Sequence, residues 1–144
     1  MSIKAKNVPV RAQGKALTPQ AVVQVVDHSE FVDGGANVGT FALDVDIPKN
    51  AEYMHTHVLV PEGFAGNTSA TLQVGDGSDM DRYNTGAPSV FADAEDGINM
   101  GAPSGQTFHT AAANPVLTIT TATDWGLVTA GKLVVVTVFL PPAI

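Results

Sequence analysis

Between residues 76 and 81 the chain carries Asp76, Ser78, Asp79 and Asp81, with Gly75 and Gly77 on either side of the first and Arg82 directly after the last. Hard cations such as calcium favour oxygen-rich loops of this kind, tightened by glycine. The spacing departs from the calcium-binding helix–loop–helix pattern. Counted from Asp76, loop position six is Asp81 instead of glycine, and position twelve is Ala87 instead of glutamate. The same residues have a purely local use: aspartate side chains accept from nearby backbone N–H groups, and glycine supplies positive φ. Arg82 can neutralise the carboxylates without a metal. Gly75, Asp76, Gly77, Asp79, Asp81 and Arg82 are therefore read as a structural turn, with no metal and no cofactor assigned.

His55 and His57 lie two apart, so on a strand they project from one face. Such a pair chelates a transition metal if a third ligand arrives from elsewhere, His28 or His109 being the histidines left. No local motif links the four, and a polar or subunit-facing strand is the expectation. Nucleophilic catalysis finds no cysteine and no G-x-S-x-G elbow. Glu95 and Asp96 are adjacent carboxylates that would point apart on a strand. Gly75-Asp76-Gly77 lacks the third glycine and the following helix of a dinucleotide loop. No catalytic residue is assigned, and the chain is not expected to be an enzyme. The single tryptophan, Trp125, invites a sugar-stacking platform, but with nine aromatics in all a buried position is expected.

The elements that must position these groups read as strands. Val, Thr, Gly, Asn and Pro are plentiful while Glu, Lys and Arg are scarce, a balance that favours strands and turns. Residues 20–27 form a first strand with Val23 and Val25 on one face and Val22 and Val26 on the other. Residues 40–47 alternate most cleanly, Phe41, Leu43, Val45 and Ile47 against Asp44 and Asp46. Residues 52–60 place Tyr53, His55, His57 and Leu59 opposite Met54, Thr56, Val58 and Val60, and Pro61-Glu62-Gly63 then reads as a turn. Further strands are expected over 70–74, 106–112, 116–121 and 132–140, the last stopped by Pro141-Pro142. The excursion over 75–105 holds Tyr83, Val90, Phe91, Ile98 and Met100 to bury, which argues for local folding rather than a linker. Seven or eight short strands without an amphipathic helix predict an all-β chain, an antiparallel β-sandwich or jelly-roll-like barrel.

Charge divides the chain. Lys4, Lys6, Arg11 and Lys15 give residues 1–26 a charge of +4, and three basic residues against fourteen acids leave the rest at −11. Residues 1–19 are read as an extended N-terminal arm and 20–144 as one β-sandwich domain. The four arm cations are candidates for binding an acidic protein partner, a neighbouring copy included. An acidic body is a poor nucleic-acid binder, so no nucleic acid is expected. No run of 18 apolar residues exists and the first residues lack the apolar core of a signal peptide, so no membrane is expected and synthesis in the cytoplasm is.

Three segments carry a family likeness. They are the Leu72–Tyr83 strand and turn, LQVGDGSDMDRY, the upstream turn Ile47-Pro48-Lys49-Asn50-Ala51, and the closing strand that opens Thr129-Ala130-Gly131-Lys132. Together they resemble small all-β bacteriophage virion structural proteins of the capsid decoration, or cement, type. The resemblance implies a virion protein on the outer capsid surface, made in the host cytoplasm, that binds the major capsid protein and stabilises contacts between capsid subunits. It further implies a homo-oligomer, trimer or dimer. A head-fibre, tail or other accessory virion protein is the alternative, and a carbohydrate-binding β-sandwich module a more distant one.

Overall fold

The structure is a computed structural model in which residues 18–92, 97–103 and 108–142 are described. Lys4, Lys6, Arg11 and Lys15, and with them nearly all of the expected arm, lie outside the described residues, as do 106–107 of the strand expected over 106–112. Among the described residues no helix is long and apolar enough to cross a membrane.

The described residues form eight strands: β1 (Gln20–Asp27), β2 (Val32–Asp33), β3 (Val38–Ala42), β4 (Glu52–Ala65), β5 (Ala70–Gly75), β6 (Gly97–Ile98), β7 (Val116–Thr121) and β8 (Ala130–Leu140). They make two antiparallel four-stranded sheets, ordered β1-β8-β4-β6 and β2-β3-β7-β5. From β3 onward successive strands alternate between the sheets, the winding of a jelly roll, so the all-β sandwich expected from the sequence is the architecture observed. Alternation explains the core. In β8 the residues Leu133, Val135, Thr137 and Phe139 point inward and are buried, while Val134, Val136 and Val138 on the other face are only partly so. Leu72 and Val74 of β5 and Leu117 and Ile119 of β7 close the core from the second sheet.

Four expectations need correction. The alternating run over 40–47 keeps its burial pattern, with Leu43, Val45 and Ile47 inside, but the ladder stops at Ala42. Opposite it stand Asn114 and Pro115; Pro115 accepts from Leu43 N–H at 2.8 Å but has no N–H to return, so regular pairing ends. Secondly, β4 does not end before Pro61: it runs to Ala65, with register shifts against β8 between Leu59 and Glu62 and between Glu62 and Ala65. Proline is tolerated in a sheet at such bulges. Thirdly, another shift between Tyr53 and His55 puts two residues opposite one, so Tyr53 joins Thr56, Val58 and Val60 in the core while His55, His57 and Leu59 face out. Fourthly, no strand forms over 108–112: Phe108 makes a single bridge to Glu52 and is exposed, whereas His109 is buried.

The excursion after β5 folds onto the sandwich. Tyr83 N–H donates to Val74 O (3.2 Å), Leu72 N–H to Pro88 O (3.0 Å) and Val90 N–H to Ala70 O (2.9 Å), so this segment covers the free edge of β5. Its Tyr83, Val90 and Met100 are buried, and Phe91 and Ile98 pack partly buried against the core.

Candidate functional site

The Asp76 loop closes on itself. One carboxylate oxygen of Asp76, Oδ1, accepts from Ser78 N–H (3.0 Å) and Asp79 N–H (2.9 Å), while Oδ2 pairs with Arg82 Nη1 at 3.2 Å. Backbone bonds from Asp76 N–H and Arg82 N–H to Asp79 O complete the turn. Both flanking glycines are required by geometry. A Cβ at Gly75 would stand 1.9 Å from Asp79 O, and Gly77 has φ +91°. Partial burial pushes the Asp76 carboxyl up, but the Asp79 and Ser78 N–H groups and the Arg82 guanidinium outweigh it and hold the pKa below the usual carboxylate value. Asp79 is raised instead, first by its side-chain hydrogen bond with Asp81. The Arg82 guanidinium lies 5.2 Å over the Tyr83 ring. Both carboxylate oxygens of Asp76 thus accept from the protein itself, and the arrangement orders the chain where it leaves β5.

The four histidines are not gathered. His55 and His57 share the outer face of β4 with ring centroids 4.4 Å apart, and desolvation followed by the His57 charge lowers the His55 pKa. His28 lies at the end of β1, its Nδ1 3.2 Å from Asp27 Oδ2. His109 is buried, with Nε2 and the Tyr83 hydroxyl 2.6 Å apart in a hydrogen bond. Among the described residues no three His, Asp or Glu side chains are grouped to hold a metal.

Trp125 is 6% exposed and packs against Phe31 (centroids 5.3 Å) and Phe64 (6.3 Å). Its ring covers Gly39, where a Cβ would stand 2.4 Å from the indole. Phe64 in turn covers Gly131 at 2.5 Å. An open depression of about 360 Å³ lies beside it, lined by His28, Ser29, Phe31, Asp33, Trp125, Gly126 and Val128. The indole is thus packed largely into the core.

A buried polar seam escaped the sequence reading. The Tyr53 hydroxyl donates to Asn84 Oδ1 at 2.6 Å and lies 2.6 Å from Thr56 Oγ1. The Tyr53 and Tyr83 rings are 4.7 Å apart, and Tyr83 stacks on His109 at 5.4 Å. Burial pushes both tyrosine pKa values up. These groups tie β4, the excursion after β5 and the segment before β7 together. No local signal announces them, since the bonded partners Tyr53 and Asn84 are 31 residues apart.

No family model and no curated protein matches the chain. Among solved structures it is similar to a chain of the capsid asymmetric unit of cyanophage Pam1, with a TM-score of 0.63, 16% sequence identity and coverage of 98% of both chains. At that identity the likeness is one of fold.

Proposed function

We propose that this protein is a phage virion structural protein, specifically a head decoration protein that sits on the outer capsid surface and bridges neighbouring major capsid subunits. The observation that carries the reading is the end-to-end fold likeness, 98% of each chain, to a component of a phage capsid. The physical character of the chain supports it. The sandwich is closed by a continuous core, its Asp-rich loop and tyrosine seam serve the fold, and no group of acid, base and nucleophile was found in the sequence. A rigid β-sandwich spreads load across a contact, and an extended basic arm over 1–19 can pair with a neighbour's sheet edge through main-chain hydrogen bonds. The partners on this reading are the major capsid protein and further copies of the chain, in the virion, with no catalytic role.

The test mixes full-length protein, or protein lacking residues 2–15, with undecorated heads and measures co-sedimentation at low and high salt. The full-length chain is expected to bind, and the truncated chain to bind more weakly at low salt, because four of the seven basic residues are removed. Equal occupancy of both forms at every salt concentration would remove the arm from the mechanism. Failure of the full-length chain to bind heads would remove the decoration role itself.

A further inference from the structure

His55 and His57 differ from the other two histidines in having no polar partner. His28 lies 3.2 Å from the Asp27 carboxylate, and His109 is buried against the Tyr83 hydroxyl. The rings of His55 and His57 meet each other edge to face, and among the described residues neither makes a hydrogen bond or an ion pair. His57 is exposed and His55 half-buried, so their ring nitrogens are left to solvent.

The sheet fixes the pair. Residues two apart on a strand share a face, with about 6.7 Å between them along the backbone. The ring centroids are closer, 4.4 Å, so both side chains lean toward a common point above the strand. β4 is an interior strand between β8 and β6. Its ladder with β8 is regular from His55 to Leu59, with His55 opposite Val138 and His57 opposite Val136. β1 continues the two rows with Ala21 and Val23. The pair therefore stands on an apolar outer face. Neither row holds a lysine or arginine to repel a cation, or a carboxylate to engage the rings as donors.

Neutral imidazole suits borderline divalent transition ions, at a metal–nitrogen distance of about 2.0–2.1 Å. Two nitrogens on one ion then lie about 3 Å apart, a separation that adjacent rings reach by turning about the Cβ–Cγ bond. We infer that His55 and His57 form a two-imidazole chelate for a divalent transition cation. No third protein ligand is grouped with them among the described residues, so water completes the coordination. The chelate gains over separate imidazoles because the strand has already brought the second ligand to the first. With two protein ligands in place of the three or four of a dedicated zinc site, binding is weak and reversible, and the metal-free chain folds without it. Selectivity follows from the nitrogen donors. Cu²⁺ binds tightest and Ni²⁺ and Zn²⁺ more weakly, while Ca²⁺ and Mg²⁺ take oxygen ligands and do not bind the pair. The site is separate from the Asp76 loop and does not depend on the capsid reading.

Titration calorimetry of the untagged full-length chain with Cu²⁺, and separately with Zn²⁺ and Ca²⁺, tests this. One equivalent of Cu²⁺ should bind, Zn²⁺ should bind more weakly, and Ca²⁺ should give no heat that depends on the histidines. His55→Gln and His57→Gln should each weaken Cu²⁺ binding at least about tenfold, since even losing a group that only orients a metal-bound histidine costs about 10–100-fold. His28→Gln should bind as the parent does. These substitutions leave the buried core untouched, so circular dichroism and melting without metal should match the parent. Electron paramagnetic resonance of the Cu²⁺ complex should show two coupled imidazole nitrogens in the parent and fewer in the His55 and His57 variants. Absence of saturable binding in the parent, or His55→Gln and His57→Gln variants that bind as tightly as the parent, would overturn the inference. So would a parent spectrum without coupled imidazole nitrogens, or binding lost in His28→Gln and kept in His57→Gln.

Discussion

Leu43→Asp isolates how much of the sandwich depends on the segment between β3 and β4. Leu43 is 2% exposed although it lies outside any strand, held by its N–H to Pro115 O. Removing the buried leucine forfeits about 2–3 kcal/mol of apolar burial. The new carboxyl either stays ionised without a partner or takes up a proton. Protonating a group of ordinary pKa about 3.9 at pH 7 costs about 4 kcal/mol, at about 1.36 kcal/mol per unit. The total of about 6–7 kcal/mol is comparable to the entire stability of a typical domain, about 5–15 kcal/mol. The variant is therefore expected to lose its cooperative thermal transition, or to melt tens of degrees lower, at neutral pH. The sign of the pH effect follows from linkage. The buried Asp has a folded pKa raised above its unfolded value, so the penalty is largest at high pH and shrinks by up to about 4 kcal/mol as the pH falls toward 4. Leu43→Asn, without a titrating group, should show a gap to the parent that does not narrow with pH. The assay is thermal melting of all three proteins across that range. A Leu43→Asp midpoint within a few degrees of the parent at pH 7, or a gap insensitive to pH, would refute the reasoning, since it would mean that the carboxylate reaches water.

Three further outcomes are expected. Gly131→Ala should destabilise the fold despite adding one methyl group: φ is +147° and the new Cβ would meet the buried Phe64 ring at 2.5 Å. A cost of about 1–3 kcal/mol by chemical denaturation is expected, and an unchanged midpoint would show that Phe64 moves freely. Asp76→Ala removes the acceptor for two N–H groups and the Arg82 partner; a loss of about 1–3 kcal/mol is expected. Because the Asp76 pKa is depressed in the folded state, its contribution is present above the unfolded pKa and lost as the pH falls through the folded one. The Asp76→Ala gap should accordingly close only below about pH 4, and closure near neutrality would contradict the assignment. Finally, chelators should leave the melting midpoint of the parent protein unchanged, because the Asp76 oxygens are already occupied by protein donors; a large drop reversed by calcium would overturn the turn reading.

The strands with unbroken local alternation were legible in the chain itself. β1 and β7 have the bounds that period-two patterning predicts, and β8 differs only by starting two residues earlier. The hydrogen bonds of the Asp76 loop are local in the same sense, with donors and acceptors within six residues of one another. Burial of Leu43, Val45 and Ile47 also followed from alternation, because a side chain's face is a local property. Whether that segment belongs to a ladder depended on Pro115, which is distant in sequence and opposite in space. Pro61 reads as a stop locally, but β8 alongside carries β4 through it by way of bulges, and the bulge after Tyr53 moves that ring from the outer face to the core. Trp125 over Gly39, Phe64 over Gly131 and the Tyr53–Asn84 bond join residues far apart in the chain, and they are set by how the strands and loops are brought together in the fold. The apolar outer face is of the same kind. Val23 and Val25 look like ordinary strand valines until the sheet order places them beside Val136 and Val134, on the side of the sheet that faces away from the core. Local periodicity assigns each residue a side of its own strand, and only the long-range winding of the two sheets decides which side becomes interior.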